Sequence, residues 1–588
     1  MLRRVLLVST VILAGAITVS GQNFVFTVSV PQPASHAFHV VMRCDGVTGE
    51  LQDFKMPVWM PGFYRVLDYA KNVTNFHAAD GAGRRLAWEK VARNAWRVVT
   101  GGASSVTLDY EVTGTVRFAA QNYVDEDRAY LAPPGAFLHL AGRLDRPATV
   151  VVQPAAGWKT IVTGLDPVEG RANTFTAANF DVLYDAPILM GGQERLRFDV
   201  QSVPHYVAIE DVPAAVDREK MTGDLKRMVA TAAALIGDVP YRHYTFLMMG
   251  RGNGGIEHLN SASIQFNGES LTKPDGYVRW LSYVAHEYFH NFNVKRIRPI
   301  ALGPFDYDRE NLTNMLWVSE GLSVYYQDLV CLRAGLVTRQ QYLEKMRAAI
   351  QRFENANGHR YQSATESSWN TWGTSGVGGD RATTISYYDN GGMLGALLDL
   401  AIRHATGNAR SLDDVMRSLY RKYYREKQRG FTDEEFRAEC EAAAGAPLAE
   451  IFEYAATTKE MDYGKYFAWA GLEVEAKAGE GKGAWLGANF QAADSGLAVT
   501  WVGPGSPAEK AALRPGDIVS EVDAAKATVK LLNDTITARK PGERIKLKLG
   551  GRQVEAELAP SVEWSYDIRT IPNPTADQKA LLESWLGR

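Results

Sequence analysis

Two histidines and a glutamate carry the strongest chemical signal in this sequence. His286 and His290 are four residues apart, and Glu287 follows the first of them. On an α-helix, residues i and i+4 face the same way, so both imidazoles can reach one metal ion. Glu287 can approach a water on that ion from the side and take its proton. The spacing predicts a helix that binds one Zn²⁺ per chain and supports hydrolysis.

A third ligand must come from elsewhere, because catalytic zinc usually has three protein ligands and one open position. Glu320 is a charged residue among apolar neighbours on the predicted helix Leu312–Ala334, with 29 residues between it and His290. We expect Glu320 to complete the site. Glu310 and Asp328 are the alternatives in the same stretch.

Two further groups could act on a substrate. An anionic tetrahedral intermediate needs hydrogen-bond donors besides the metal, and Tyr387 and Tyr388 are both candidates. Gly254 and Gly255 precede Glu257, and glycines let backbone approach a ligand closely. Glu257 could bind a substrate ammonium. The local pattern alone favours two packing tyrosines, and it fits an exposed turn glutamate at least as well as a binding role.

Composition bounds the possible functions. The chain has 588 residues, enough for several domains, and 46% of them are hydrophobic. Its 64 Lys and Arg against 67 Asp and Glu give a formal net charge of −3, which argues against a nucleic-acid binder. Three isolated cysteines give no sign of a disulfide framework or a thiolate metal site.

The first 21 residues indicate export. Arg3 and Arg4 precede an apolar stretch that ends in small residues near Gly21, as in a cleaved signal peptide. The stretch is shorter than the ~20 residues that a membrane span needs, so we expect cleavage and no stable membrane span. A periplasmic or secreted protein is predicted.

The rest of the chain is predicted to be a multidomain α+β protein. Short alternating runs separated by turn residues indicate a β-rich start, and helical periodicity dominates later. The predicted domains are a β-rich domain over 22–200, the zinc-helix part of a catalytic domain over 201–310, its helical part over 311–477, a small module over 478–560 and a tail over 561–588.

Particular elements must position the candidate residues. The spacing predicts the motif helix over Tyr277–Val294 and a single strand over Gly254–Phe266. Gly358–Asp380, rich in Gly, Ser, Thr and Trp, is predicted to be a long functional loop. The glycine-rich run Ala478–Gly483 is predicted to be a linker or turn.

The motifs together resemble the glycyl aminopeptidase family of PDZ-containing zinc metallopeptidases. The resemblance rests on His286–Pro299, Trp317–Gly321 and Met56–Tyr64, and it spans most of residues 22–560. It implies a thermolysin-like catalytic domain of the gluzincin clan. It also implies His286, His290 and Glu320 as zinc ligands and Glu287 as the base.

A related family, aminopeptidase N, has a GxMEN strand that binds the substrate amine, and Gly254–His258 is similar to it. That similarity implies an amine-binding role for Glu257. The same family places a transition-state tyrosine before Glu-Lys-Gly. Here Tyr388 precedes Asp389-Asn390-Gly391, which favours Tyr388 over Tyr387. The carboxylate that thermolysin-like relatives carry four residues after the Glu ligand is replaced by Val324.

The module over 478–560 resembles a PDZ domain. Its carboxylate-binding loop would be Leu486, Gly487 and Ala488, and Gly505–Val519 is similar to the core of bacterial PDZ domains. Such modules hold a C-terminal peptide along a sheet edge. The resemblance implies an aminopeptidase that removes N-terminal Gly or Ala from peptides with a free N-terminus. A zinc endopeptidase with PDZ-guided substrates and an inactive PDZ-bearing binding protein are the alternatives.

Overall fold

The computed structural model describes residues 23–373 and 384–587. The predicted signal peptide and the end of the predicted loop Gly358–Asp380 lie outside these residues. The β-rich N-terminal region and the helical half of the catalytic region are confirmed. Within the described ranges, none of the helices combines the length and apolar character needed to cross a bilayer.

The N-terminal region consists of three β-sheets. Its elements are β1 (Asn23–Ser29), β2 (Ala37–Asp45), β3 (Leu51–Lys55), β4 (Val73–Asp80), β5 (Trp88–Ala92), β6 (Ala95–Val99), β7 (Ser105–Thr113), β8 (Tyr123–Val124), β9 (Arg128–Leu131), β10 (His139–Leu140), β11 (Ala148–Gln153), β12 (Thr160–Thr163), β13 (Asp166–Pro167), β14 (Thr174–Ala177), α1 (Phe180–Tyr184) and β15 (Ile188–Gly191). The largest sheet has the order β13-β14-β11-β1-β2-β7-β4. In β1 every second residue (Phe24, Phe26, Val28) is buried, as strand geometry requires of a sheet with one covered face.

The catalytic region begins with a five-stranded sheet and two helices. They are β16 (Glu194–Val200), β17 (Val203–Ile209), α2 (Arg218–Ile236), β18 (Tyr244–Gly250), β19 (Gly254–Glu257), β20 (Ser261–Phe266) and α3 (Pro274–Phe289). The sheet order is β16-β17-β18-β20-β19, with β19 antiparallel at the edge. The single strand predicted over Gly254–Phe266 is wrong, because the chain reverses where the His258 N–H donates to the Ser261 carbonyl at 2.9 Å.

The predicted motif helix Tyr277–Val294 corresponds to α3, which begins and ends earlier in the chain than predicted. It begins at Pro274, whose missing N–H costs nothing in the first turn of a helix. It ends at Phe289, so His290 is its C-terminal cap. Val294 has a φ of 124°, which a helix does not allow, and the chain leaves the helical path before it.

The second half of the catalytic region is helical. After a π-helical turn at Trp317–Gly321 come α4 (Leu322–Arg333), α5 (Arg339–Glu354), α6 (Ala364–Trp369), α7 (Tyr387–Ala405), α8 (Leu412–Leu419), a second π-helical segment (Tyr420–Glu426), α9 (Asp433–Ala444), α10 (Ala449–Ala456) and α11 (Tyr463–Ala468). The predicted helix Leu312–Ala334 therefore begins five residues later than expected. The predicted loop Gly358–Asp380 contains α6, which a Ser363–Glu366 capping box starts.

The C-terminal region is a small β module on a long ribbon. Its elements are β21 (Leu472–Trp485), β22 (Ala488–Ala493), β23 (Gly496–Val502), α12 (Pro507–Lys510), β24 (Ile518–Val522), β25 (Ala525–Lys526), α13 (Val529–Thr537), β26 (Arg544–Leu549), β27 (Arg552–Glu557), β28 (Ala559–Thr570) and α14 (Ala576–Leu586). The linker predicted at Ala478–Gly483 is wrong, because these residues lie in β21, which pairs antiparallel with β28. Strand pairing outweighs the low strand propensity of glycine here. In the predicted tail, α14 buries Trp585 in the catalytic core.

Candidate metal centre and active site

Helix α3 directs both motif histidines towards one point. Its Leu281, Ala285 and Phe289 are buried in the catalytic core and hold the helix in place. The Nε2 atoms of His286 and His290 are 3.0 Å apart. Both imidazoles are buried, so the i, i+4 spacing produces the convergence that the sequence predicted.

Glu320 meets the two histidines from the π-helical turn Trp317–Gly321. Its Oε2 lies 3.1 Å from Nε2 of His290 and 3.6 Å from Nε2 of His286, and only 2% of the residue is exposed. The alternative ligands are elsewhere: Glu310 is exposed, and Asp328 pairs with Lys345. Among the described residues, His286, His290 and Glu320 are the group placed to hold a metal ion.

The donor set fits zinc. In a tetrahedral site with ligands at ~2.0–2.1 Å, neighbouring donor atoms are about 3.4 Å apart, close to the distances seen here. Two imidazoles and a carboxylate are ordinary zinc ligands, and they leave one position open. Glu320 therefore remains ionised in this cluster: burial raises its pKa, but the positive charge of His290 outweighs burial and lowers the pKa to about 2.

Asn293 joins the two segments that supply the ligands. Its carbonyl accepts a hydrogen bond from Nδ1 of His290 at 2.7 Å, which leaves Nε2 of that ring free for a metal. Its amide donates to the carbonyls of Val318 at 3.0 Å and Ser319 at 2.8 Å. Asn293 therefore fixes the tautomer of one ligand and the position of the turn that carries another. Nδ1 of His286 has no hydrogen-bond partner in the described part of the chain.

Glu287 faces the same cavity from α3 and is held from two sides. The Tyr283 hydroxyl, one turn earlier, hydrogen-bonds its carboxylate. On the other side is Gly255, where a Cβ would lie 2.5 Å from Oε1 of Glu287 and 2.6 Å from the Tyr283 hydroxyl. Burial raises the pKa of Glu287 to about 8, against the lowering effect of the His290 charge. A side chain at position 255 would displace the Glu287 carboxylate or the Tyr283 hydroxyl, which explains the glycine there.

The two tyrosines stand at the start of α7 and stack on each other, with ring centroids 4.8 Å apart. The Tyr388 ring lies 6.1 Å from the ring of His286. The Tyr387 hydroxyl accepts a hydrogen bond from Thr371 at 3.2 Å, and Tyr387 is almost fully buried. Both tyrosines border the cavity. Tyr388 lies beside His286, a candidate metal ligand, and within the described residues its hydroxyl makes no hydrogen bond comparable to the one between Thr371 and Tyr387.

Glu257 borders the same cavity from the edge strand β19 and is 4% exposed. Its Oε1 accepts no hydrogen bond within the described ranges. Lys295 lies behind it, with Nζ 3.6 Å from Oε1 of Glu257 and 2.9 Å from Oδ1 of Asp185. Asp185 also accepts a hydrogen bond from Nδ1 of His258 at 3.0 Å. An N-terminal-domain carboxylate thus anchors the lysine that supports Glu257.

The cavity has a volume of about 430 Å³, and the N-terminal region closes one side of it. The segment Gly62–Arg65 supplies this wall, together with Phe118. A Cβ on Gly62 would lie 2.8 Å from Oε2 of Glu257, so glycine is needed there as well. Gly62 and Tyr64 belong to the Met56–Tyr64 motif, and Asn293 and Lys295 to the His286–Pro299 motif. The sequence thus pointed to these segments without assigning their roles, whereas nothing in it indicated Tyr283 or Asp185.

The loop predicted to bind a carboxylate lies between β21 and β22. Within the described residues, the backbone N–H groups of Leu486 and Gly487 donate no hydrogen bond. Gly487 has a φ of 77°, and a Cβ there would collide with Ser506. Ala488 begins β22, which pairs with β23 on one side and forms the free edge of its sheet.

Comparison with known protein families agrees with this architecture. The family described as the Peptidase M61 N-terminal domain matches residues 25–192, and the family described as M61 glycyl aminopeptidase matches residues 279–394. The second match includes the histidine pair, Glu320 and both tyrosines. The chain thus contains an M61 N-terminal domain and an M61 catalytic domain. These two domain matches and the three-residue cluster make the protein a metallopeptidase.

One solved structure shows the same fold. An aminopeptidase N family protein from Idiomarina loihiensis is 24% identical, with a TM-score of 0.79 over 96% of this chain and 100% of its own. Two lower-scoring structures are M1 zinc metallopeptidases from Deinococcus radiodurans. One is 15% identical with a TM-score of 0.48, over 75% of this chain and 95% of its own. The other is a mutant bound to a Tyr-ser-ala substrate, 13% identical with a TM-score of 0.47 over the same shares of both chains. No curated protein sequence matches this chain.

Proposed function

We propose that the protein is a zinc aminopeptidase that removes N-terminal Gly or Ala from peptides. The observation that carries the proposal is Glu257, a buried carboxylate with an oxygen that accepts no hydrogen bond from the described residues. It borders the cavity that also contains His286, His290 and Glu287. A buried anion costs free energy unless a cation or donor reaches it. Lys295 lies 3.6 Å from this oxygen and balances its charge without a hydrogen bond, so the ammonium of a substrate with a free N-terminus supplies the missing donor.

His286, His290 and Glu320 would hold the zinc ion, with the fourth position open. Bound there, zinc supplies a Lewis acid that polarises oxygen ligands. Glu287 is the proton acceptor for the attacking water and returns the proton to the leaving amine. The Tyr388 hydroxyl donates a hydrogen bond to the oxygen on which negative charge develops. Tyr283 and Gly255 keep the Glu287 carboxylate in place.

A small N-terminal residue fits the wall beside Glu257. Phe63 and Phe118 meet edge to face with ring centroids 4.9 Å apart. Phe118 lies 3.6 Å from the position of a Cβ on Gly254. This aromatic pair, of which Phe118 packs against a glycine of the Glu257 strand, narrows the space for a side chain next to the amine site. This wall supports the preference for Gly and Ala that the family resemblance implies.

One assay tests the proposal against its alternatives. Gly- and Ala-peptides with free and acetylated N-termini are incubated with the zinc-loaded protein, with and without a chelator. We expect cleavage of the free peptides only, lost with chelator. Cleavage of acetylated peptides that persists in Glu257→Ala would instead identify an endopeptidase. Native protein without bound zinc or turnover would identify an inactive binding protein.

We also propose that the C-terminal module is a PDZ domain that binds a C-terminal peptide. The free edge of β22 and the unused N–H groups of Leu486 and Gly487 support this role. We further propose export to the periplasm or medium after cleavage near Gly21. Mass spectrometry of the mature N-terminus tests that step, and a mature chain that retains Met1 would contradict it.

A further inference from the structure

Arg65 is the one arginine or lysine among the described residues that line the active-site cavity. It is exposed, and no carboxylate in the described part of the chain forms an ion pair with it. The cavity otherwise carries three carboxylates, Glu257, Glu287 and Glu320. The Arg65 guanidinium is thus an unpaired cation at the edge of an acidic site.

The proposed function accounts for each of the three carboxylates but not for Arg65. Glu320 faces the metal ion, Glu287 the attacking water, and Glu257 the substrate ammonium. A guanidinium without a protein partner in this cavity therefore matches an anion on the substrate. On a peptide without acidic side chains, that anion is the C-terminal carboxylate, which guanidinium binds with two parallel hydrogen bonds.

The distance along the chain limits which carboxylate can reach it. Gly62 lies beside the Glu257 carboxylate, where a Cβ would come within 2.8 Å of it. Arg65 follows three residues later, so the Cα atoms of Gly62 and Arg65 are at most ~11 Å apart. The segment is bent, since the Arg65 N–H donates to the Phe63 carbonyl at 2.8 Å. An extended dipeptide or tripeptide separates its ammonium from its carboxylate by roughly 7–10 Å. Much longer extended peptides would carry the carboxylate out of reach of the Arg65 side chain.

We propose that Arg65 binds the C-terminal carboxylate of short peptides, which makes dipeptides and tripeptides with free carboxylates the preferred substrates. This inference rests on the proposed aminopeptidase function. Glu257 and Arg65 would then recognise the two ends of one zwitterionic substrate, across the scissile bond. The cavity of about 430 Å³ has room for a peptide of this size.

The test compares Gly-Gly-Gly with its C-terminal amide on the zinc-loaded protein. We expect kcat/KM to be roughly 2- to 5-fold higher for the free acid, the effect of one charge pair with a solvent-exposed arginine. Arg65→Gln should lower kcat/KM for the free acid to that of the amide and leave the amide unaffected. Arg65→Lys should retain part of the preference. Arg93→Gln, an exposed arginine away from the cavity, should retain all of it.

A binding measurement separates this inference from the proposed function. Isothermal titration calorimetry of both peptides with zinc-loaded Glu287→Gln protein needs no turnover. It should show the same preference for the free acid, and the additional substitution Arg65→Gln should abolish that preference. Equal binding and turnover of acid and amide by the wild-type protein would overturn the role of Arg65. An equal loss of binding and turnover for both peptides in Arg65→Gln would also overturn this role. Absence of any peptide turnover alongside an acid preference in binding would instead contradict the aminopeptidase function.

Discussion

Gly321 and Gly391 lie backbone to backbone where the π-helical turn meets α7. A Cβ on Gly391 would come within 2.8 Å of the Gly321 Cα, and one on Gly321 would collide with the Gly391 Cα. Glu320 precedes the first glycine, and Tyr388 lies three residues before the second. The contact therefore sets the distance between a candidate metal ligand and the proposed transition-state donor, and it exists because neither glycine has a side chain.

Gly391→Ala should damage the site through this contact. The added methyl meets backbone, which yields less readily than a side chain, so we expect destabilisation by about 3 kcal/mol or more and a loss of activity. Gly223→Ala is the matched control, because Gly223 lies in α2 with open space around its Cβ position. That change should stabilise the helix by about 0.5–1 kcal/mol. Thermal unfolding and peptidase assays of both variants check the prediction, which fails if they behave alike.

Glu287→Gln should abolish turnover while zinc stays bound. Glutamine keeps the size and the hydrogen bond from Tyr283 but accepts no proton. Loss of a positioned base typically lowers kcat by roughly 10²- to 10⁴-fold. Zinc content by mass spectrometry and kcat on a Gly-peptide are the measurements. Glu310→Gln, at an exposed residue, is the control and should match the wild type; a normal kcat in Glu287→Gln would exclude the proposed mechanism.

Asn293→Ala should weaken zinc binding although Asn293 is not a ligand. The variant keeps the carbonyl that orients His290 but loses the amide bonds to Val318 and Ser319. Removal of such supporting contacts typically costs about 10- to 100-fold in metal affinity. Competition with a chelator measures the change. Glu320→Ala should lose more affinity than Asn293→Ala, and Asp328→Asn should lose none; the opposite ranking would disprove the ligand set.

Local spacing explains why most of the candidate metal site was predictable. The i, i+4 histidines and Glu287 depend only on helix geometry, and Glu320 stood out as a charge in an apolar segment. The neighbouring contacts depend on chain reversals that no local pattern encodes. Asp185 and Lys295 are 110 residues apart in sequence, and they meet only because the N-terminal domain packs on the catalytic sheet.

The elements that were misplaced have a common physical cause. Ala478–Gly483 has the composition of a flexible linker, but it pairs with a strand about eighty residues later. The reversal at His258 depends on its bond to the distant Asp185. Long-range partners overrode local propensity in both cases, and a single sequence does not reveal such partners.

Stability should decline on mild acidification because of two buried histidines. Burial lowers the pKa of His139 and of His205 from 6.5 to about 4. The unfolded chain therefore takes up protons between pH 6.5 and 4 that the folded protein excludes, and the free energy of unfolding falls across that window. The loss is up to about 3 kcal/mol per histidine.

Denaturant unfolding at pH 7 and pH 5 measures this dependence. His205→Gln should reduce the difference between the two pH values, since glutamine does not titrate and can still hydrogen-bond Tyr241. His77→Gln, at an exposed residue on β4, should leave the difference unchanged. The same pH dependence in both variants would show that His205 does not contribute.

Gly487→Ala should abolish peptide binding by the proposed PDZ domain without loss of peptidase activity on short peptides. The left-handed backbone and the collision with Ser506 prevent a side chain at this position, so the loop must move and its N–H groups lose their common direction. Gly505→Ala is a stringent control, because Gly505 is also left-handed but its Cβ position is open. It shares the backbone strain without the collision.

Fluorescence titration with a labelled peptide carrying a free C-terminal carboxylate should detect binding in the wild type and in Gly505→Ala, with loss in Gly487→Ala. Equal affinity for the amidated peptide in the wild type would rule out carboxylate capture by this loop.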